Sequence, residues 1–152
     1  MPKDLVIIYT DGACSPNPGT GGWGAVLISN QHNLRTEISG SEVDSTNNRM
    51  EITAAIKALE VLKKPCKVEL YTDSSYVKNA FEKNWLRNWQ NNGWKSKGRK
   101  AVANKDLWLL LLELTQKHEV SWHWVKGHSG DVENDRCDEL AVNARKELAK
   151  SN

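Results

Sequence analysis

Four carboxylates fall where a chain could use them for chemistry. Asp11 ends the β-rich run that begins Leu5-Val6-Ile7-Ile8-Tyr9, and Asp73 ends the run Val68–Thr72. Glu51 lies in the first turn of a helical pattern carrying Ile52, Ala55, Ile56, Leu59 and Leu62, and Asp138 lies in the first turns of the last helical pattern. Singly, each has a local explanation. Asp11-Gly12 is an ordinary turn pair, Asp73 suits an N-cap, Glu51 fits a capping box begun at Asn48, and acids are favoured near helix starts such as that of Asp138. Together they ask for more, because ligands in an open α/β sheet gather beyond the carboxyl ends of the strands. Four acids facing one such edge repel one another or take up protons. A hard cation resolves the conflict: oxygen-only donors select Mg²⁺ or Mn²⁺ over zinc, and two such ions about 3.5–4 Å apart suit phosphodiester displacement. The residues therefore point to a metal-dependent nuclease.

His128 stands in Val125-Lys126-Gly127-His128-Ser129-Gly130, a glycine-flanked loop that leads into the helix bearing Asp138. An imidazole so placed can ferry a proton. His32, His118 and His123 lack that context and read as surface or packing residues. Residues 83–105 hold seven cations and no acid, a net +7 that leaves −5 for the rest of a chain whose formal charge is +2. Trp85, Trp89 and Trp94 are interleaved with those cations, and basic-aromatic clustering is a footprint of nucleic-acid contact.

The elements that must carry these groups read as mixed α/β. Strands over Leu5–Tyr9, Trp23–Ser29 and Asn33–Ser39 form an antiparallel meander, followed by the polar stretch Gly40–Asn48 and a helix ended by Pro65. Val68–Thr72 is a strand, followed by a short helix from Ser74, then the Trp/Lys segment as a helix with a projecting loop, and a helix over Asp106–Lys117. Val120–Val125 is a fifth strand, and a last helix buries Cys137, Leu140, Ala141, Ala144 and Leu148. The expected fold is a five-stranded mixed sheet, three antiparallel strands continued by parallel ones, with helices on both faces, as a single domain over 1–152.

Other chemistries drop out. Gly19-Thr20-Gly21-Gly22-Trp23-Gly24 matches G-x-G-x-x-G, but it runs into a strand rather than opening a helix, so no nucleotide cofactor is expected. Cys14, Cys66 and Cys137 are scattered and odd in number, which argues against a disulfide framework or a zinc site. The longest apolar run, Leu107–Leu112, is far short of a membrane span. A cytoplasmic, monomeric protein with no membrane contact is expected.

Several motifs resemble ribonuclease H type 1: Tyr9-Thr10-Asp11-Gly12 with Asn17-Pro18-Gly19, Thr46-Asn47-Asn48-Arg49-Met50-Glu51, Thr72-Asp73-Ser74, Trp124-Val125-Lys126-Gly127-His128, and Asn134-Asp135-Arg136-Cys137-Asp138-Glu139-Leu140-Ala141. They occur in that family's order and span Leu5 to Ala149. The resemblance implies the ribonuclease H-like fold and cleavage of the RNA strand of RNA–DNA hybrids, giving 5′-phosphate and 3′-hydroxyl ends. It makes Asp11, Glu51, Asp73 and Asp138 the ligands of two Mg²⁺ ions, with Mn²⁺ as substitute, and gives His128 a part in proton transfer or product release. Cys14, Asn17, Asn47 and Asn48 would meet the RNA strand, and Thr46 and Asn104 would hold a DNA-strand phosphate. The segment with Trp85, Trp89, Trp94, Lys95 and Lys97 would be the basic protrusion that grips the DNA strand, as in stand-alone bacterial-type members. Ser75, next to the active-site run, stands where well-known members carry Gln; Asp44 and Gln90-Asn91-Asn92 replace positions that are basic in some. No obligate protein partner is implied. A non-catalytic hybrid-binding module of the same fold is the alternative, favoured only if one of the four acids were missing.

Overall fold

The computed structural model describes residues 3–95, 102–125 and 131–151. Its strands are β1 (Leu5–Ser15), β2 (Gly19–Ser29), β3 (Leu34–Ser45), β4 (Lys67–Thr72) and β5 (Glu119–Trp124). Its helices are α1 (Asn47–Val61), α2 (Ser75–Glu82), α3 (Trp85–Asn91), α4 (Lys105–Lys117) and α5 (Val132–Ser151). The strands form one sheet in the order β3-β2-β1-β4-β5, antiparallel among the first three and parallel across β1-β4 and β4-β5. This is the ribonuclease H-type arrangement expected from the sequence.

Alternation along the strands sorts side chains to two faces. Val6, Ile8 and Thr10 of β1 and Val68, Leu70 and Thr72 of β4 are buried. With Ile52, Ala55, Ile56 and Leu59 of α1 and Trp108 and Leu111 of α4, the apolar members form the main core. The opposite face is covered by α5 over β1, β2 and β3. Beside it, Tyr9, Tyr71 and His123 occupy one cross-strand row, their rings stacked 4.8 and 4.7 Å apart. His123 Nε2 lies 2.6 Å from Glu69 Oε2. Buried His118 accepts the Cys66 N–H through Nδ1 at 3.1 Å, and His32 pairs with Asp4 at the surface, so these three histidines are structural.

Three strand boundaries differ most from the sequence expectation. The first strand does not stop at Asp11-Gly12 but continues to Ser15, paired with β2 through Ser15↔Thr20. The glycine run 19–24 is strand from Gly19 onward, and most of the polar stretch 40–48 belongs to β3. Two of these glycines, Gly22 and Gly24, are there for α5, while Gly21 makes room for the Met50 side chain. A Cβ on Gly22 would collide with the Ala141 carbonyl oxygen, and one on Gly24 would stand 2.7 Å from the Cys137 carbonyl oxygen, so bare backbone lets α5 lie directly on the sheet. In α5, Cys137 and Ala141 are fully buried with Asn134, while Leu140, Ala144 and Leu148 are only partly so.

Candidate active site

Asp11 and Asp73 meet because their strands are adjacent and parallel. Thr10 and Thr72 are register partners, and neighbouring strands lie about 4.8 Å apart, so the two acids follow side by side. There β4 leaves the sheet while β1 runs on with β2 alone. Asp73 is not an N-cap; Ser74 is, its hydroxyl accepting the Val77 N–H at 3.2 Å.

Glu51 arrives from α1. The capping residue of that helix is Thr46, whose Oγ1 accepts the Arg49 N–H at 3.0 Å, so Asn48 is inside the helix and Glu51 lies in its second turn. The capping-box reading of Glu51 therefore fails. Gly12 makes the approach possible: a Cβ there would sit 2.6 Å from the Glu51 backbone nitrogen and from the Met50 carbonyl carbon. One ligand oxygen each from Asp11, Glu51 and Asp73 falls within 4.8 Å of the others. Asp138 of α5 lines the same cleft of ≈ 380 Å³, together with Gly12, Ala13, Cys14, Ser15, Asn47, Val142 and Arg145.

The electrostatics are those of like charges taken out of water. Burial, then the charge of Asp73, pushes the Asp11 carboxyl up to about 8, against the opposing hydrogen bond from the Gly12 N–H at 2.9 Å; Asp138 adds to the rise. Glu51 is driven well above the carboxylate range by burial and by the charges of Asp11 and Asp73. A side-chain hydrogen bond joins Asp11 and Glu51, with the proton favoured on Glu51. Glu51 Oε2 is out of solvent contact with no hydrogen-bond partner among the described residues. A buried acceptor left in this way costs stability unless something else occupies it. An all-oxygen donor set with one orphaned buried oxygen and strong mutual repulsion fits a hard divalent cation held by Asp11, Glu51, Asp73 and Asp138.

The expected substrate contacts divide into two groups around this cleft. Cys14 is buried, with its thiol directed to the carbonyls of Pro16 and Ser45 at 3.3 and 3.4 Å. Exposed Asn17 accepts the Asn47 N–H at 3.1 Å, tying the turn after β1 to the start of α1, and Asn48 is exposed next to it. Ser75 is exposed at the first position of α2. Asn104, with a left-handed backbone (φ 62°), is held by Arg49 Nη1 and the Tyr76 hydroxyl, each at 3.5 Å. Thr46 and Asn104 are thus connected through Arg49, which also grips Asp106 with two bonds of 3.2 and 2.9 Å and Glu42 at 2.8 Å.

Arg49 and Arg145 are the residues that sequence reasoning passed over. Arg145 had a usable signal, since it lies two helical turns after Asp138 on the same face of α5.

In the segment 83–105, the tryptophans are packed rather than displayed. Trp89 lies 6.0 Å from Trp85, 6.1 Å from Trp94 and 5.9 Å from the buried Trp108, and all three rest on the main core. Each remains partly exposed. Lys95 is exposed, whereas Lys97 and His128 lie outside the described residues.

The family model for RNase H matches residues 3–146. A protein of Symbiobacterium thermophilum named Ribonuclease H is 60% identical over 136 residues, covering 90% of this chain and 91% of its own length. A Ribonuclease H of Francisella tularensis subsp. novicida is 56% identical over 146 residues, covering 96% and 94%. Among solved structures, LC9-RNase H1, described as a type 1 RNase H with the type 2 active-site motif, superposes with a TM-score of 0.86 at 30% identity, over 97% of this chain and 74% of that one.

Proposed function

This chain belongs to the ribonuclease H family, and from that premise we propose that it is an endoribonuclease hydrolysing the RNA strand of RNA–DNA hybrids to 5′-phosphate and 3′-hydroxyl ends. The observation that carries the reading is the convergence of Asp11, Glu51 and Asp73 within 4.8 Å in a cleft also lined by Asp138. These four carboxylates would hold two divalent ions, Mg²⁺ or Mn²⁺, which when bound supply the positive charge that activates water and stabilises the leaving oxygen. A module that only bound hybrids would have no use for acids buried against their own repulsion.

The remaining roles belong to the chain's own groups. His128 takes up or releases a proton during turnover or product release. Cys14 and Asn47, which line the cleft, together with Asn17, Asn48 and Ser75 meet the RNA strand, with amide and backbone groups suited to 2′-hydroxyls in a shallow minor groove. Thr46 and Asn104, joined through Arg49, hold a phosphate of the DNA strand. The segment with Trp85, Trp89, Trp94, Lys95 and Lys97 meets that strand further along, its partly exposed ring edges and cations providing stacking and charge. The protein works as a cytoplasmic monomer, one domain over 1–152; no described helix is long and apolar enough to cross a membrane.

The test is cleavage of four labelled duplexes of one sequence: hybrid, RNA, DNA, and DNA with a single embedded ribonucleotide. Each is run with Mg²⁺, Mn²⁺ or EDTA, beside Asp73→Asn. Metal-dependent cutting confined to the RNA strand of the hybrid and lost in the variant is expected. Tight hybrid binding without cutting under either metal would overturn the enzyme reading.

A further inference from the structure

Asp73 sits between two regular structures. β4 ends at Thr72, and the β4–β5 pairing closes with the Val125 N–H donating to the Thr72 carbonyl at 2.9 Å. On the other side, α2 opens with the Lys78 N–H donating to the Ser74 carbonyl at 3.1 Å. Asp73 follows the last residue of β4 and precedes the cap of α2, and its carboxylate must be placed accurately, since productive sites tolerate only about 0.5 Å of misplacement.

Trp124 crosses that gap. It is the register partner of Thr72, and its indole N–H donates to the Asp73 carbonyl at 3.3 Å. The bond fixes the plane of the peptide after Asp73, and with it the torsion that relates this peptide to the Asp73 side chain. From α2, the Lys78 ammonium stands 5.0 Å from the centre of the Trp124 ring, and Glu82 one turn on pairs with Lys78 at 3.4 Å. Behind them, Phe81 stacks on Trp122 at 4.5 Å, so α2 and the edge strand β5 are joined by rings at two levels. Trp124 remains 48% exposed, so burial does not account for a tryptophan here; the bond and the cation over its face do.

We propose that Trp124 is a positioning residue for Asp73, with Lys78 holding the ring in place. The inference rests on the divalent-ion site proposed above. Partners that orient a metal-binding group change metal affinity or activity by about 10–100-fold when removed. Trp124 acts through a backbone carbonyl in a half-exposed setting, which puts its effect at the low end, about tenfold.

The experiment measures Mn²⁺ affinity of the substrate-free protein by electron paramagnetic resonance, well below the melting temperature, for the parent, Trp124→Phe, Lys78→Met and Asp73→Asn. The expected result is a loss of about tenfold in Trp124→Phe and about threefold in Lys78→Met. In cleavage assays, the Mg²⁺ concentration for half-maximal rate rises in step, while KM for the hybrid stays within twofold. A general loosening of the fold would lower melting temperature without that selective shift. If Asp73→Asn loses Mn²⁺ while Trp124→Phe and Lys78→Met bind like the parent, the positioning role is overturned and the ion site stands. If Asp73→Asn binds like the parent, the ion site falls and the inference with it. Should Trp124→Phe not fold, Trp124→Tyr and Lys78→Met carry the test, and unchanged affinity in both overturns it.

Discussion

α5 contributes to two charged clusters built on opposite principles. On its outer side, Arg136 makes two bonds of 2.8 and 2.9 Å to Glu37 of β3, and Arg35 bridges Glu37 and Glu133 at 3.0 and 2.7 Å. Hydrogen bonds from Arg136 and then Arg35 hold the Glu37 carboxyl down at about 2. Two residues further along, Asp138 lines a cleft with three other carboxylates and Arg145, and there burial and like charge lift Asp11 to about 8. The first cluster neutralises itself and sits in water. The second is left incomplete in a dry place, which is the state in which a bound cation gains most. The raised carboxyls of Asp11 and Glu51 are the signal that points to a site here, because burial and like charge are the leading causes of both shifts.

Removing one acid separates the two clusters most sharply. Asp11→Asn is expected to lower hybrid cleavage by about 10³-fold, in the range seen when a single transition-state stabilising group is removed, while hybrid binding in EDTA is largely retained. Steady-state kinetics beside a filter-binding assay checks both. A variant that cut within tenfold of the parent would place the chemistry elsewhere.

Gly12→Ala probes how the crowding is built. The added methyl would meet backbone atoms of Met50 and Glu51 at 2.6 Å, and backbone cannot rotate away. Overpacking of this kind costs about 1–3 kcal/mol, and with α1 pushed off β1 the metal affinity should fall too. Urea unfolding gives the first quantity and Mn²⁺ titration the second.

How much of this was legible beforehand follows from where the information lies in the chain. The four acids could be found because each directly follows a β-rich run or opens a helical pattern, and the sheet order follows from the sequence of elements. The continuation of β1 through Asp11-Gly12 was not legible, since its partner there is the glycine run 19–24, and Gly22 and Gly24 in that run answer to α5, more than a hundred residues away. The choice of Thr46 over Asn48 as the cap depends on β3 extending to Ser45, which no local rule fixes. Arg49 looked like one polar residue among several because its partners Glu42 and Asp106 are 7 and 57 positions away. Trp85, Trp89 and Trp94 showed their charged neighbours in the sequence but not Trp108, on which Trp89 packs, nor the core on which all three rest.

The pH dependence of stability gives the two clusters opposite signs. Asp11 has its folded-state pKa raised from 3.8 to about 8, so the folded chain binds protons more tightly than the unfolded chain. That contribution is fully present below 3.8 and is lost as pH rises through about 8. In EDTA, Asp11→Asn should therefore nearly equal the parent at pH 4 and exceed it increasingly as pH rises to 8, by several kcal/mol. Added Mg²⁺ should close the gap by stabilising the parent alone. Denaturant melts at four pH values test this, and a gap independent of pH would refute the crowding argument.

Glu37→Gln supplies the smallest effect and the reverse trend. The folded-state pKa of Glu37 is lowered from 4.5 to about 2, so its stabilisation is present above 4.5 and is lost as pH falls through about 2. The pair is solvent-exposed, and exposed ion pairs contribute little and are screened by salt. Glu37→Gln should leave cleavage within about twofold of the parent. Its melting temperature should be slightly lower at neutral pH in dilute buffer, with the difference shrinking in about 1 M salt, where the Debye length is about 3 Å. It should shrink again below pH 4.5, where the Asp11→Asn gap is also at its smallest but from the other side. Thermal melts of the two variants over one pH series would then diverge as pH rises, one above the parent and one below. Parallel curves would mean that Asp138 and Arg136, two residues apart on one helix, feel the same electrostatic environment after all.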